Sequence, residues 1–223
     1  MKNIILQHFD GELRPLDKLS IENIQRYADM VGAKYKLVLG RPFKPHLTGP
    51  CQKVYMLNEE FDDYDNVLML DIDMFAPIGM KENVFDVKGV GLYEDIQRRL
   101  HQRLSDSYPL HASMNFPYWG GAIYKLDRSA RIKLRAALDG NDGWMLPYNK
   151  AYTWEDEGIM HGLAVKTGYN PKEPYMHRKW CQCSFLPNPE KAGFIHIRTK
   201  VTPAGPKREK IENYNELVSK NIL

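Results

Sequence analysis

Asn66-Val67-Leu68-Met69-Leu70-Asp71-Ile72-Asp73-Met74 is the stretch whose reading decides the fold. Four apolar residues in succession, Val67 to Leu70, predict a strand covered on both faces, because a half-exposed strand alternates apolar with polar. The run ends in two carboxylates one residue apart. Strand residues i and i+2 project to the same side, so Asp71 and Asp73 are expected to share a face. Two carboxylates held that close repel each other unless a cation lies between or beside them. The end of a buried strand in an open sheet is also where ligands usually bind. Together these features point to a divalent metal that grips a phosphate. An aspartate pair capping a strand-end turn is the simpler reading of the same residues, and features elsewhere in the chain decide between the two.

Upstream, Ile4 to Leu6 predict a first buried strand, followed by a polar turn at Asp10-Gly11. Leu16, Leu19, Ile24, Tyr27, Ala28 and Val31 fall at helical spacing, with Gly32 as the C-terminal cap. Tyr35 to Leu39 predict a second strand, so the opening reads as a parallel β-α-β crossover. The loop Arg41 to Pro50 carries three prolines, and a helix is expected from about Gln52 to Phe61.

Downstream, Val90 to Tyr93 read as a short strand. The basic stretch Asp95 to Leu104 reads as a solvated helix face in preference to a diphosphate patch. Tyr118 to Leu126 predict a strand opened by Gly120-Gly121. Helices are expected over Ser129 to Leu138 and Thr153 to Lys166, the second stopping at Gly168. Residues 169 to 193 are loop-like, Phe194 to Ile197 form a last strand, and a basic tail ends in a helix from Lys207 onward. There is no internal repeat and no clean linker, so residues 1–223 are expected to form one domain.

The 223 residues are 43% hydrophobic and 26% charged, an ordinary composition for a soluble globular protein. A net charge of +3 suits a phosphorylated small molecule and is too small and scattered for nucleic acid. Cys51, Cys181 and Cys183 make no disulfide framework, which favours a reducing compartment. Met1 to Leu6 turn polar at Gln7, unlike a signal peptide, and no apolar run approaches the ~20 residues of a membrane span. A cytoplasmic protein is expected.

Three further stretches bear on Asp71 and Asp73. In Trp119-Gly120-Gly121-Ala122, paired glycines let a backbone approach a ligand that a Cβ would exclude, although a bulge explains them as well. In Thr153-Trp154-Glu155-Asp156-Glu157-Gly158, Thr153 fits an N-cap and Asp156 the N3 position of a capping box. That accounts for one or two acids, not three. A carboxylate at a helix start facing a pocket can deprotonate a substrate hydroxyl, which makes Glu155, Asp156 and Glu157 catalytic candidates. In Phe194-Ile195-His196-Ile197-Arg198-Thr199-Lys200, an apolar-flanked histidine is commonly a core residue. On a strand followed by two cations, however, it can complete a metal–diphosphate site.

In this order the features resemble the GT-A-fold glycosyltransferases of the D-x-D type. Asn66 to Met74, Trp119 to Tyr124 and Phe194 to Lys200 are similar to stretches of the family-8-like members. Tyr152 to Glu157 resembles the acidic segment of inverting galactosyltransferases. Stand-alone domains of this kind occur in bacteria and in large viruses of algae, and the resemblance spans roughly residues 3 to 200. It implies an α/β fold, a Rossmann-like mixed, mainly parallel sheet flanked by helices. The nucleotide-binding half would be about 1–75, the acceptor-side half about 76–200, and a tail helix about 207–223.

The resemblance further implies a nucleotide-sugar donor, UDP-linked by family frequency, and a carbohydrate acceptor. Asp71 and Asp73 would hold Mn²⁺ or Mg²⁺, with Asp71 near the ribose and His196 a further ligand. Ile72 lies between them in the donor site. Lys200 would meet the diphosphate, Gln7 and Phe9 the base and ribose, and Gly120 and Gly121 the donor sugar. Lys53 matches a basic residue that often precedes the D-x-D. Asp156 would be the base of an inverting transfer. Trp119 replaces the family's usual Asn, and the mixture of motifs leaves a retaining reaction open.

Rival readings fit less well. A haloacid-dehalogenase phosphatase has Thr or Val two residues after its D-x-D, where this chain has Phe75. A sugar nucleotidyltransferase needs a glycine-rich basic loop after the first strand, and Gln7 to Arg14 has one glycine. A zinc site at His177, Cys181 and Cys183 offers three ligands with an atypical C-x-C spacing. A non-catalytic module that binds a nucleotide-sugar or glycan shares every motif, and absence of turnover would distinguish it.

Overall fold

A computed structural model describes residues 1–87, 94–95, 118–138, 155–169, 176–199 and 207–223. Its central sheet has the order β2-β1-β3-β7, where β1 is Asn3–Phe9, β2 Lys34–Leu39, β3 Asn66–Leu70 and β7 Ile123–Asp127. β1 runs parallel to β2 and β3, and β7 closes the edge antiparallel to β3, so the sheet is mixed and mainly parallel.

Strand periodicity explains the unbroken apolar runs. Ile4, Leu6, Val67 and Met69 face one layer, made of Val54, Met56, Ile159 and Leu163 among others. Ile5, Leu68 and Leu70 face the other, built on Ile24, Tyr27 and Ala28. A strand covered on both sides needs apolar residues at every position. The first layer holds α2 (Arg128–Leu138), α3 (Glu155–Thr167) and the 3₁₀ segment Pro50–Leu57. The second holds α1 (Pro15–Met30). α3 ends at Gly168, whose φ of +62° reverses the chain at low cost.

Three expectations are corrected. Residues 52 to 61 form two 3₁₀ segments, Pro50–Leu57 and Glu59–Phe61, split at Asn58. Asn58 is extended and its side chain caps the second segment at Glu60 N, which ends any continuous helix. Residues 118 to 126 form two strands, β6 (Tyr118–Trp119) and β7. Between them the Gly121 N–H and C=O are diverted to Glu157 and Lys53 and leave the ladder. Lastly, β3 ends at Leu70, and Asp71 to Asp73 form a turn closed by Met74 N on Asp71 O.

That turn starts a second, three-stranded sheet. β4 (Met74–Phe75) pairs with β9 (Ile195–His196), which pairs with β8 (Gln182–Cys183). The C-terminal helix α4 (Lys210–Ser219) covers this sheet through Leu217 against Ile195 and Ile197, and Tyr214 against Phe75 at 5.2 Å between ring centroids. β5 (Glu94–Asp95) pairs with β6. The expected strand Val90 to Tyr93 and the basic stretch after Asp95 lie outside the described residues. All three cysteines are buried, and none is in a disulfide. Among the described residues no helix is long and apolar enough to cross a membrane.

Candidate functional site

The chain crosses from β1 to β2 on one side and returns to β3 on the other, so the strand order reverses between β1 and β3. Beyond the carboxyl ends of two such strands a crevice opens, the usual ligand position in α/β sheets. Here it is a cleft of about 550 Å³. β1 contributes His8 and Phe9 to its wall, with Asp10 just beyond, and the turn after β3 contributes Asp71, Ile72 and Asp73. Lys53, Asp156, His196, Arg198 and Lys210 complete the polar lining.

Asp71, Asp73 and His196 present one ligand atom each, all within 4.8 Å of one another. The acids converge through the turn, not through strand alternation. His196 reaches them because β9 places it opposite Met74, with Ile197 N donating to Asp73 O at 2.9 Å. His196 Nε2 lies 3.2 Å from Asp73 Oδ1 and 3.8 Å from Asp71 Oδ2. Burial pushes the Asp73 carboxyl up, but His196 and Lys210 outweigh it and hold the group below the usual carboxylate range.

Lys53 is the hub behind this cluster. Its ammonium, on a residue 7% exposed, meets Asp71 Oδ1 at 2.8 Å, Asp156 Oδ2 at 2.9 Å and the Gly121 carbonyl at 2.7 Å. Three acceptors use all three ammonium protons. Burial alone would lower its pKa, but Asp156 and Asp71 hold it above the ordinary lysine value. Asp156, at 1% exposed, also accepts from the Tyr124 hydroxyl at 2.9 Å, and burial pushes its carboxyl up against the pull of Lys53.

Glu157 accepts from Gly121 N at 2.6 Å. A Cβ on Gly121 would come within 2.5 Å of Asp156 Oδ2, so glycine is required there by the close approach of α3. Gly120 and Gly121 are buried in this strand-to-helix junction.

Gln7 is fully buried beneath the site. Its amide donates to Ser20 Oγ and to Asp71 O, both at 3.0 Å, and accepts from the Tyr35 hydroxyl at 2.9 Å. It braces the turn that carries the acids. Lys200, Thr153, Trp154 and the Glu155 side chain lie outside the described residues. His177 serves as a local cap, taking Lys179 N on Nδ1, and among the described residues it forms no metal-sized group with Cys181 and Cys183.

Three residues that were not site candidates in the sequence also belong to the site. Tyr124 anchors Asp156, Asp10 stands on the cleft wall paired with Arg41, and Lys210 reaches Asp73 from α4. Tyr124 sits in the strand that Gly120-Gly121 open, so strand alternation could have aimed it at α3. Nothing in the local sequence singles out Lys210.

No protein-family model matches the chain, and no curated protein matches it. Solved structures do. A glycosyltransferase involved in glycosylation of the major capsid of PBCV-1 is 11% identical with a TM-score of 0.60, over 98% of this chain and 100% of that one. The galactosyltransferase LgtC, solved with donor and acceptor sugar analogs, is 12% identical with a TM-score of 0.57, over 97% and 95%. The bifunctional glycosyltransferase WbbM is 15% identical with a TM-score of 0.57, over 99% of this chain and 51% of its own. At these identities the likeness defines architecture: this chain has the GT-A fold of glycosyltransferases.

Proposed function

We propose that this protein is a metal-dependent glycosyltransferase that moves a sugar from a nucleoside-diphosphate sugar, a UDP-sugar foremost, to a hydroxyl of a carbohydrate acceptor. The observation that carries the reading is the Asp71–Asp73–His196 cluster in a cleft at the carboxyl ends of β1 and β3. The two carboxylates are the oxygen donors that Mn²⁺ or Mg²⁺ takes, the imidazole adds a nitrogen donor better suited to Mn²⁺ than to Mg²⁺, and their spacing lets one ion reach all three. The glycosyltransferase neighbours, LgtC with its donor and acceptor analogs among them, support the same use of the same fold.

When bound, the ion supplies positive charge to the departing diphosphate. The chain supplies the rest. Arg198 and Lys210 on the cleft wall offer charge to the phosphates, and Lys200 follows on the same segment. Phe9 and His8 flank the end of β1, where the base and ribose would lie. Lys53 keeps Asp71 and Asp156 at fixed positions, so the site is ordered before the substrate arrives. Asp156 takes the proton from the attacking acceptor hydroxyl in an inverting transfer, with Glu155 and Glu157 on the same helix start. Three buried cysteines outside any disulfide favour a reducing compartment, hence the cytoplasm.

One observation favours a retaining reaction instead. Asp156 Oδ2 already accepts from Lys53 and Tyr124, as befits a carboxylate that orients donor hydroxyls more than one that collects protons. Asp156→Asn is expected to lower transfer by at least ~10²-fold while donor binding persists, the usual scale for loss of a general base. NMR of the wild-type product then decides the stereochemistry: an inverted anomer supports Asp156 as base, and a retained one supports the orienting role. Unchanged transfer by Asp156→Asn removes it from the chemistry.

A further inference from the structure

Lys210 stands in the first turn of α4, 137 residues from Asp73, and its ammonium closes on Asp73 Oδ2. We propose that Lys210 is a partner-switching counter-cation: it competes with the divalent cation for Asp73 and passes to the donor's diphosphate when the ion takes the acids. This rests on the glycosyltransferase reading above and adds to it a residue that orders the binding of ion and nucleotide.

Asp73 is 5% exposed, and a carboxylate that deep needs compensating charge. Each oxygen of the acid pair meets a basic nitrogen: Lys53 on Asp71 Oδ1, His196 on Asp71 Oδ2 and Asp73 Oδ1, Lys210 on Asp73 Oδ2. These three basic groups are not equally free to leave. Lys53 is locked by three acceptors, and its departure would strand Asp156. His196 is set by the pairing of β9 with β4. Lys210 has a side chain 36% exposed, a flexible stem, and three rotatable donors.

Its position is otherwise unfavourable. A cation in the first turn of a helix opposes the helix dipole, a modest cost that an anion facing it offsets. Asp73 is that anion in the structure. An ion shared by Asp71, Asp73 and His196 would repel the ammonium from the same oxygen, and a donor diphosphate bound in the cleft that Lys210 lines would offer it another anion. The helix itself stays in place during such an exchange. Asn213 donates to Arg198 O at 2.6 Å, Leu217 packs on Ile195 and Ile197, and Glu209 with Glu212 forms a capping box. The switch is therefore confined to one side chain.

The test compares the full chain with Lys210→Met and Lys210→Gln, using calorimetry or Mn²⁺ EPR for the metal alone and calorimetry for UDP plus Mn²⁺. Each variant is expected to bind Mn²⁺ alone about tenfold more tightly and UDP with Mn²⁺ about tenfold more weakly. A lysine that only supports the fold would move both affinities the same way or neither. Mn²⁺ affinity that is unchanged or weaker in the variants overturns the proposal. If neither variant folds, the ammonium resonance of Lys210 in ¹⁵N-lysine wild type, assigned by its loss in Lys210→Arg, must shift on titration with Mg²⁺; a static resonance is equally fatal. A wild type that binds no nucleoside diphosphate with Mn²⁺ sinks the glycosyltransferase reading itself, whereas binding with no difference between wild type and variants sinks Lys210 alone.

Discussion

Asp73→Ala is expected to abolish metal-dependent binding of a nucleoside diphosphate and leave the chain folded. Asp73 is the most enclosed member of the acid pair and faces both His196 and Lys210. Removing it leaves Asp71 and His196, too few protein ligands to hold a hard divalent ion well. Loss of even a supporting group around a metal costs 10–100-fold, so loss of a ligand is expected to weaken Mn²⁺-dependent binding by at least ~100-fold. The fold survives because the two partners left behind, His196 and Lys210, keep access to water. Calorimetry with UDP and Mn²⁺, beside a circular dichroism melt, checks both halves. A variant that binds as tightly as the parent contradicts the assignment.

Lys53→Met carries the largest expected effect on stability. Methionine matches the length of the lysine stem, so packing is preserved while the charge is lost. What remains is a buried Asp156 carboxylate with the Tyr124 hydroxyl and a second carboxylate, Asp71, across the gap that the ammonium bridged. Removing one partner from a buried ion pair costs about 3–5 kcal/mol, because the other is stranded in a poorly polarisable medium. For a chain of this size that lowers the melting temperature by roughly 10 °C. Lys53→Met combined with Asp156→Asn should recover part of the loss, since no orphaned charge remains at 156. A melt of Lys53→Met within ~2 °C of the wild type would show that the network is held by something other than charge.

The elements that the sequence made legible are those whose partners lie close along the chain. The apolar runs of β1 and β3 and the helical stripe of α1 are written in adjacent residues, because each position answers to a covering layer. The stretch 52–61 misled for the opposite reason: its apolar spacing suits a helix, but Asn58 satisfies Glu60 N locally and breaks the run. Gly120-Gly121 marked a special position, but not its cause, which is the approach of Asp156 and Glu157 from another part of the chain.

The same divide runs through the site. Asp71 and Asp73 announce themselves as acids ending an apolar strand, and His196 as a polar residue within another, and the structure brings the three together. Lys210 could not be read in that way. It is one of 31 lysines and arginines, in a basic tail, and only the docking of α4 on β4 and β9 carries it to Asp73. Gln7 was placed near the right strand end, but it lies two residues short of it, held beneath the cleft by Ser20 of α1 and the Asp71 carbonyl, and it is His8 and Phe9 at the strand end that line the cleft.

Metal-dependent nucleotide binding at Asp71 and Asp73 is tested most directly by a thermal-shift screen of UDP, GDP, dTDP and CMP, each with and without Mn²⁺. A ligand raises apparent stability only by binding the native state, and at a hundredfold excess over Kd it adds about 2.7 kcal/mol. A rise of roughly 5–10 °C is expected with one nucleoside diphosphate, UDP foremost, only when Mn²⁺ is present, and none in Asp73→Ala. No rise with any pair at millimolar concentration would contradict that expectation and leave Asp71-Ile72-Asp73 as a strand-end turn whose charges are balanced by His196, Lys53 and Lys210 alone.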